Sequence, residues 1–171
     1  MGHDPQGASV TVTITLAWVE GRNLLHLTDE FLSLVEEPRR SSDPALARLT
    51  PVAYPDDDAA AAEFHRSTAD ELFDRRRADA VAMRDDLAPF DVDDDTRDPL
   101  APQSVEVHSG HLDAWLRTLA AIRLVVATRL GIDHADHHEA DDPRFHVYDW
   151  LGYRLEDLIQ RADDADDAAT A

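Results

Sequence analysis

Two residue types are missing from this sequence of 171 residues: cysteine and lysine. Without cysteine the chain itself has no disulfide, no thiolate metal site, no cysteine nucleophile and no thiol redox switch. Without lysine, all 16 basic residues are arginine. Together with the wealth of alanine and aspartate this points to a GC-rich genome, and a halophile would look similar. Glycine is scarce: the six glycines are scattered, so no glycine-rich phosphate loop exists. HExxH, GxSxG and paired-cysteine patterns are absent too. No apolar run approaches the ~18 residues of a membrane span. The start, MGHDPQG, has no basic region followed by an apolar core and does not read as a secretory signal. Cytoplasm is therefore the expected location, no cofactor is expected, and nothing in the motifs marks an enzyme.

What the chain does have is acid. The formal net charge is −20. Segments 56–58, 91–98, 133–142 and 163–167 hold 17 of the 36 acidic residues, so the charge belongs mainly to solvated loops and the tail. A molecule this acidic is repelled by DNA and by anionic membranes, because phosphate contacts dominate nucleic-acid affinity. The hydrophobic fraction is 43%, enough for one domain with a real core. Residues 1–8 are expected to be disordered, 9–162 to form that domain, and 163–171 to be a disordered acidic tail.

Residues 9–19 alternate: Val10, Val12, Ile14, Leu16 and Trp18 on one face, Thr11, Thr13 and Thr15 on the other. That is the pattern of a half-buried strand. Glu20-Gly21-Arg22-Asn23 reads as a turn and Leu24–Leu27 as a returning strand, giving a hairpin. Thr28 then fits an N-cap for a short helix that ends before Pro38. Asp43-Pro44 opens another. Acids at 56–58 precede a helix start in AAAAEFHR, and Ser67 or Thr68 can cap a further helix carrying Leu72, Phe73, Ala80, Met83 and Leu87. Ser104–His108 can be a short third strand. Ser109 can cap the helix that follows, Gly131 can end it, and a last helix spans about 147–162. The expected class is α+β, mainly α: a bundle of about six helices with a small N-terminal antiparallel hairpin.

The longest apolar helical segment is His111–Ile132. With Leu112 at zero and about 100° per residue, Leu112, Trp115, Leu116, Leu119, Ile122, Val126 and Leu130 form one stripe. Arg123 falls inside it; Arg129 lies at its edge and Arg117 outside. Leu124 and Val125 add apolar surface on the far side, as in a helix covered on more than one side. An arginine in an apolar stripe calls for a carboxylate. The last helix carries a stripe of Tyr148, Leu151, Gly152, Leu155, Leu158, Ile159 and Ala162, bordered by Asp149 and Glu156. The two helices are expected to pack together, with Arg123 paired to Asp149 or Glu156. The plainer reading is that Arg123 snorkels along the surface.

Three other groups invite a functional reading. His134, His137 and His138 stand among Asp133, Asp136, Glu139, Asp141 and Asp142, a chemistry suited to zinc or nickel. Their spacing matches no established signature, so a solvated loop is the plainer reading and a metal-binding protein or metal-dependent enzyme the alternative. Arg75-Arg76-Arg77 points three ways around its helix, and Asp70, Asp74 and Asp79 lie close enough to neutralise it, which argues against nucleic-acid contact. Trp150 and Tyr153 point away from the leucine stripe, either onto the hairpin or toward a partner.

The segments DPALARLTPVAY, AAAEFHRSTADEL, WLRTLAAIRLVVATRLGI and VYDWLGYRLEDLI occur in that order. Over about residues 10–162 the chain resembles an actinobacterial family of domains of unknown function that includes the oxidation-sensing transcriptional regulator AosR. Trp115, Arg117, Arg123, Arg129, Gly131, Tyr148, Asp149, Trp150 and Gly152 match the family pattern and read mostly as structural. The resemblance implies a cytoplasmic, non-enzymatic regulator of oxidative-stress and cysteine-biosynthesis genes, working with an alternative sigma factor. The family's sensing uses a cysteine pair, which this chain lacks. A structural or adaptor module is the other reading, and a homodimer is compatible with either.

Overall fold

The computed structural model describes residues 11–36, 43–50, 58–94, 96–132 and 142–170, with backbone alone at 58–67 and 169–170. The elements are β1 (Thr11–Ala17), α1 (Trp18–Glu36), α2 (Ala45–Leu49), α3 (Asp58–Asp86), β2 (Pro102–His108), α4 (Ser109–Leu130) and α5 (His146–Thr170), with 3-10 turns at Ala88–Phe90 and Pro143–Phe145. The class is as expected, mainly helical with a small antiparallel sheet, but the described residues form five α-helices rather than six.

The alternation in β1 does what its period requires: Val12, Ile14 and Leu16 are buried and the threonines between them exposed. Its partner is not Leu24–Leu27. β1 pairs antiparallel with β2, from Thr11 opposite His108 to Ala17 opposite Pro102. The stretch expected as a third strand is therefore the second, and the sheet has two strands. The expected hairpin turn is the first turn of α1. Three backbone N–H groups at this helix start find partners: Trp18 donates to Ala101 O and Val19 to Pro99 O, while Ala17 N–H donates to the Glu20 carboxylate at 2.9 Å. Satisfying those donors lets the chain leave the strand straight into a helix whose buried face is Trp18, Gly21, Leu24, Leu25, Thr28, Phe31, Leu34 and Val35. Thr28 is thus no cap. It is fully buried in mid-helix, and its hydroxyl donates to Leu24 O at 2.8 Å.

Gly21 is needed for space rather than for a turn. A Cβ there would lie 2.1 Å from Phe90 Cε1. The Phe90 ring lies on α1 and is tilted against Trp18 at 5.4 Å between centroids. The Arg97 guanidinium sits 4.1 Å from the Trp18 ring.

α3 is one continuous helix; no break occurs at Ser67 or Thr68. α4 lies against α1, α2, α3 and α5. It buries Ala114, Trp115, Thr118, Leu119, Ala121, Ile122, Val125 and Ala127, more than one face of a helix can hold. Ser109 is its first helical residue and not its cap, and His108 makes no side-chain cap either. Gly131 ends it in the left-handed region at φ 74°, where glycine is unstrained. α5 continues past 162 to Thr170, through the segment expected to be a disordered tail.

Candidate functional site

Most of the arginines on α4 fasten the bundle. Arg117 grips Asp79 of α3 through Nε at 2.8 Å and Nη2 at 3.1 Å. Arg129 reaches Asp43, at the start of α2, at 2.9 Å. Asp43 also accepts the Ala45 N–H at 2.9 Å. That backbone bond and the Arg129 guanidinium hold its carboxyl below the usual range. Trp115 is 1% exposed and donates Nε1–H to Asp86 at 2.8 Å. His111 Nδ1 lies 2.9 Å from the same carboxylate.

Arg123 meets α5. Its guanidinium lies 3.9 Å from the centroid of the buried Tyr148 ring, and Nε–H donates to Tyr148 O at 3.4 Å. A Cβ on Gly152 would stand 3.1 Å from that Nε, so Gly152 is the notch that admits the guanidinium. Both acids named as partners, Asp149 and Glu156, lie on this helix and are exposed.

Two concave surfaces accompany this framework. The first is a groove of about 430 Å³ between α1 and the start of α5, lined by Glu20, Asn23, His26, Leu27, His146, Val147 and Trp150. Glu20 organises its floor: Oε1 accepts from Trp150 Nε1 at 2.9 Å and from Arg154 Nη2 at 2.6 Å. Burial alone pushes the Glu20 carboxyl up; the bonds from Arg154, Ala17 N–H and Trp150 outweigh it and hold the group below its ordinary value. Trp150 is half-buried, whereas Val147 is 46% and Tyr153 62% exposed. The pair expected to face either core or partner thus divides, with Trp150 tied to α1 and Tyr153 in solvent.

The second surface is a cleft of about 340 Å³ between α3 and α4, with Phe31 of α1 contributing. Leu72, Ala121 and Leu124 give it apolar walls, and Arg75, Arg76, Arg117, Asp79 and Thr118 also line it. Two of the three consecutive arginines are thus brought to one cavity. The sequence signal for Arg76 is its position between Phe73 and Ala80, three and four residues away, within an apolar stripe, as Arg123 lies in α4.

His134, His137 and His138 lie outside the described residues. Among the described residues no group of three or more His, Cys, Asp or Glu is placed to hold a metal ion, and no helix is long and apolar enough to cross a membrane.

Fold and surfaces define a small, mainly helical domain built on one central helix, with two recesses flanking its arginine-fastened core. The sequence pattern of a family described as a domain of unknown function, DUF2017, matches residues 2–162, and the chain belongs to that family. No curated protein and no solved structure matches it.

Proposed function

We propose that this chain is a non-enzymatic cytoplasmic regulator that works by contact with another protein through its α1–α5 face. The observation that carries the reading is the exposure of Tyr153 and Val147 beside the groove floored by Trp150. Aromatic side chains around a recess are what protein interfaces enrich. Pinning Trp150 to Glu20 at 2.9 Å fixes the groove before binding and lowers the ordering cost. The charge of −20 favours a protein partner over DNA. The resemblance to a stress-response transcriptional regulator makes an alternative sigma factor the first partner to test, with signalling by a route other than cysteine.

The test is a titration of the purified chain with the host's sigma factors and core RNA polymerase, repeated with Tyr153→Ala and Val147→Asp. Both side chains are exposed, so the variants should fold as the parent does. At least a tenfold loss of affinity in each supports the assignment. Unchanged affinity, or a DNA mobility shift by the chain alone at low salt, overturns it.

A further inference from the structure

We infer that the cleft between α3 and α4 is a binding site for a small organic anion, a monocarboxylate with a compact apolar body, held by Arg76 and Thr118. Arg76 is half-buried on the inward side of α3, flanked by the buried Phe73 and Ala80. Its Nη2 donates to Leu49 O at 2.8 Å. Its Nε is buried and has no hydrogen-bond partner, and no carboxylate of the described residues pairs with it. The acid nearest in sequence on this side of the helix, Asp79, is engaged by both arms of Arg117. A cation removed from water without an anion is costly. Burial pushes the Arg76 guanidinium down, only partly opposed by the charge of Asp79.

The facing helix repeats the same deficit. Thr118 is 2% exposed and its hydroxyl has no partner. Two other helical threonines show the ordinary solution: Thr28 donates to Leu24 O and Thr128 to Leu124 O, each at 2.8 Å. Thr118 forgoes that bond to its own helix. The two residues that carry these donors both line one cleft, of a volume at the small end of ligand sites. Three guanidinium groups against one carboxylate make the lining net positive in a molecule of charge −20. Both donor atoms are closed to solvent in the ligand-free chain; a turn of the two side chains into the cleft offers Arg76 Nε–H to one carboxylate oxygen and the Thr118 hydroxyl to the other, with the apolar body on Phe31, Leu72 and Leu124. This site is separate from the α1–α5 face and stands whether or not that face binds a partner.

The experiment titrates the full chain with octanoate, benzoate and the neutral octanamide. Binding is read by calorimetry and by the NMR signals of Arg76 Nε–H and the Thr118 methyl, each assigned by its own substitution. At least one acid should shift both signals saturably, with octanamide at least tenfold weaker. Arg76→Met should weaken the acid at least tenfold. Thr118→Val, of the same shape, should weaken it several-fold while the ligand-free variant unfolds at or above the parent's temperature. No shift with either acid, equal binding of octanamide, or parental affinity in Thr118→Val overturns the assignment.

Discussion

Replacing Gly21 by alanine tests the packing of Phe90 directly. In the interior of a helix such as α1, glycine to alanine ordinarily stabilises by about 0.5–1 kcal/mol, because alanine loses less backbone entropy. Here the added methyl would stand 2.1–2.3 Å from three atoms of the Phe90 ring, inside any real carbon–carbon contact. The ring is 1% exposed and also lies on Trp18, so it has little room to yield. Overpacking of this kind costs about 1–3 kcal/mol, and full expulsion of the ring costs about 3–5 kcal/mol, as a phenylalanine truncation would. The net expectation is destabilisation of roughly 1–4 kcal/mol. For a chain of 171 residues, at about 2–4 °C per kcal/mol, that is a fall in melting temperature of roughly 2–16 °C. Calorimetry or circular dichroism reads it. A second background sharpens the test: in Phe90→Ala the obstruction is gone, so Gly21→Ala should there recover its ordinary stabilising sign. A Gly21→Ala protein that melts at or above the parent temperature would refute the packing argument.

Two further expectations concern charges. Glu20 is held below its ordinary value near 4.5, so its ionised form contributes stability that is fully present above that value and lost as pH falls through the lower folded one. The stability gap between the parent and Glu20→Gln in urea unfolding should be widest at pH 7 and shrink below about pH 4.5; a gap that widens on acidification refutes the assignment. For Arg123, a double-mutant cycle of Arg123→Met and Asp149→Asn should give a coupling of about 0.2–1 kcal/mol, as for a pair with an exposed acid. A zero coupling there, with a clear one to Glu156, would move the partner about two helical turns along α5.

The parts of the fold legible in the sequence are those where one period admits one answer. The Val-Thr alternation of β1 is such a case, as is the glycine closing α4; the stripe of α4 was legible in part, since Trp115, Leu119 and Ile122 are buried while Ala114, Thr118, Ala121 and Val125 outside it are buried too. Pairing was not legible, because Leu24–Leu27 and 104–108 are both short apolar runs. Glu20-Gly21-Arg22-Asn23 has turn composition for reasons unrelated to a turn: Glu20 binds the helix start and Trp150, and Gly21 clears Phe90. Thr28, Ser67 and Thr68 resemble caps, yet they sit inside helices, where tertiary contacts override local preference. The candidate surfaces were half legible. The exposure of Tyr153 agrees with its phase, but the same phase did not part it from the half-buried Trp150. The α3–α4 cleft required knowing that Arg117 takes Asp79, which no spacing within α3 reveals.

The pairing of β1 with β2 also sets a timetable for synthesis. Thr11 and His108 are joined side chain to side chain across 97 positions of sequence. The first strand leaves the ribosome with Val12, Ile14 and Leu16 uncovered and must wait for the second. At roughly 5–20 residues per second that interval is about 5–20 s. During it the nascent chain displays an unpaired, apolar-faced strand, the kind of segment that recruits wrong neighbours. Nascent-chain chaperones should therefore meet β1 while it waits for β2, and a slowed codon stretch before 102–108 should cost soluble yield more than one placed after it.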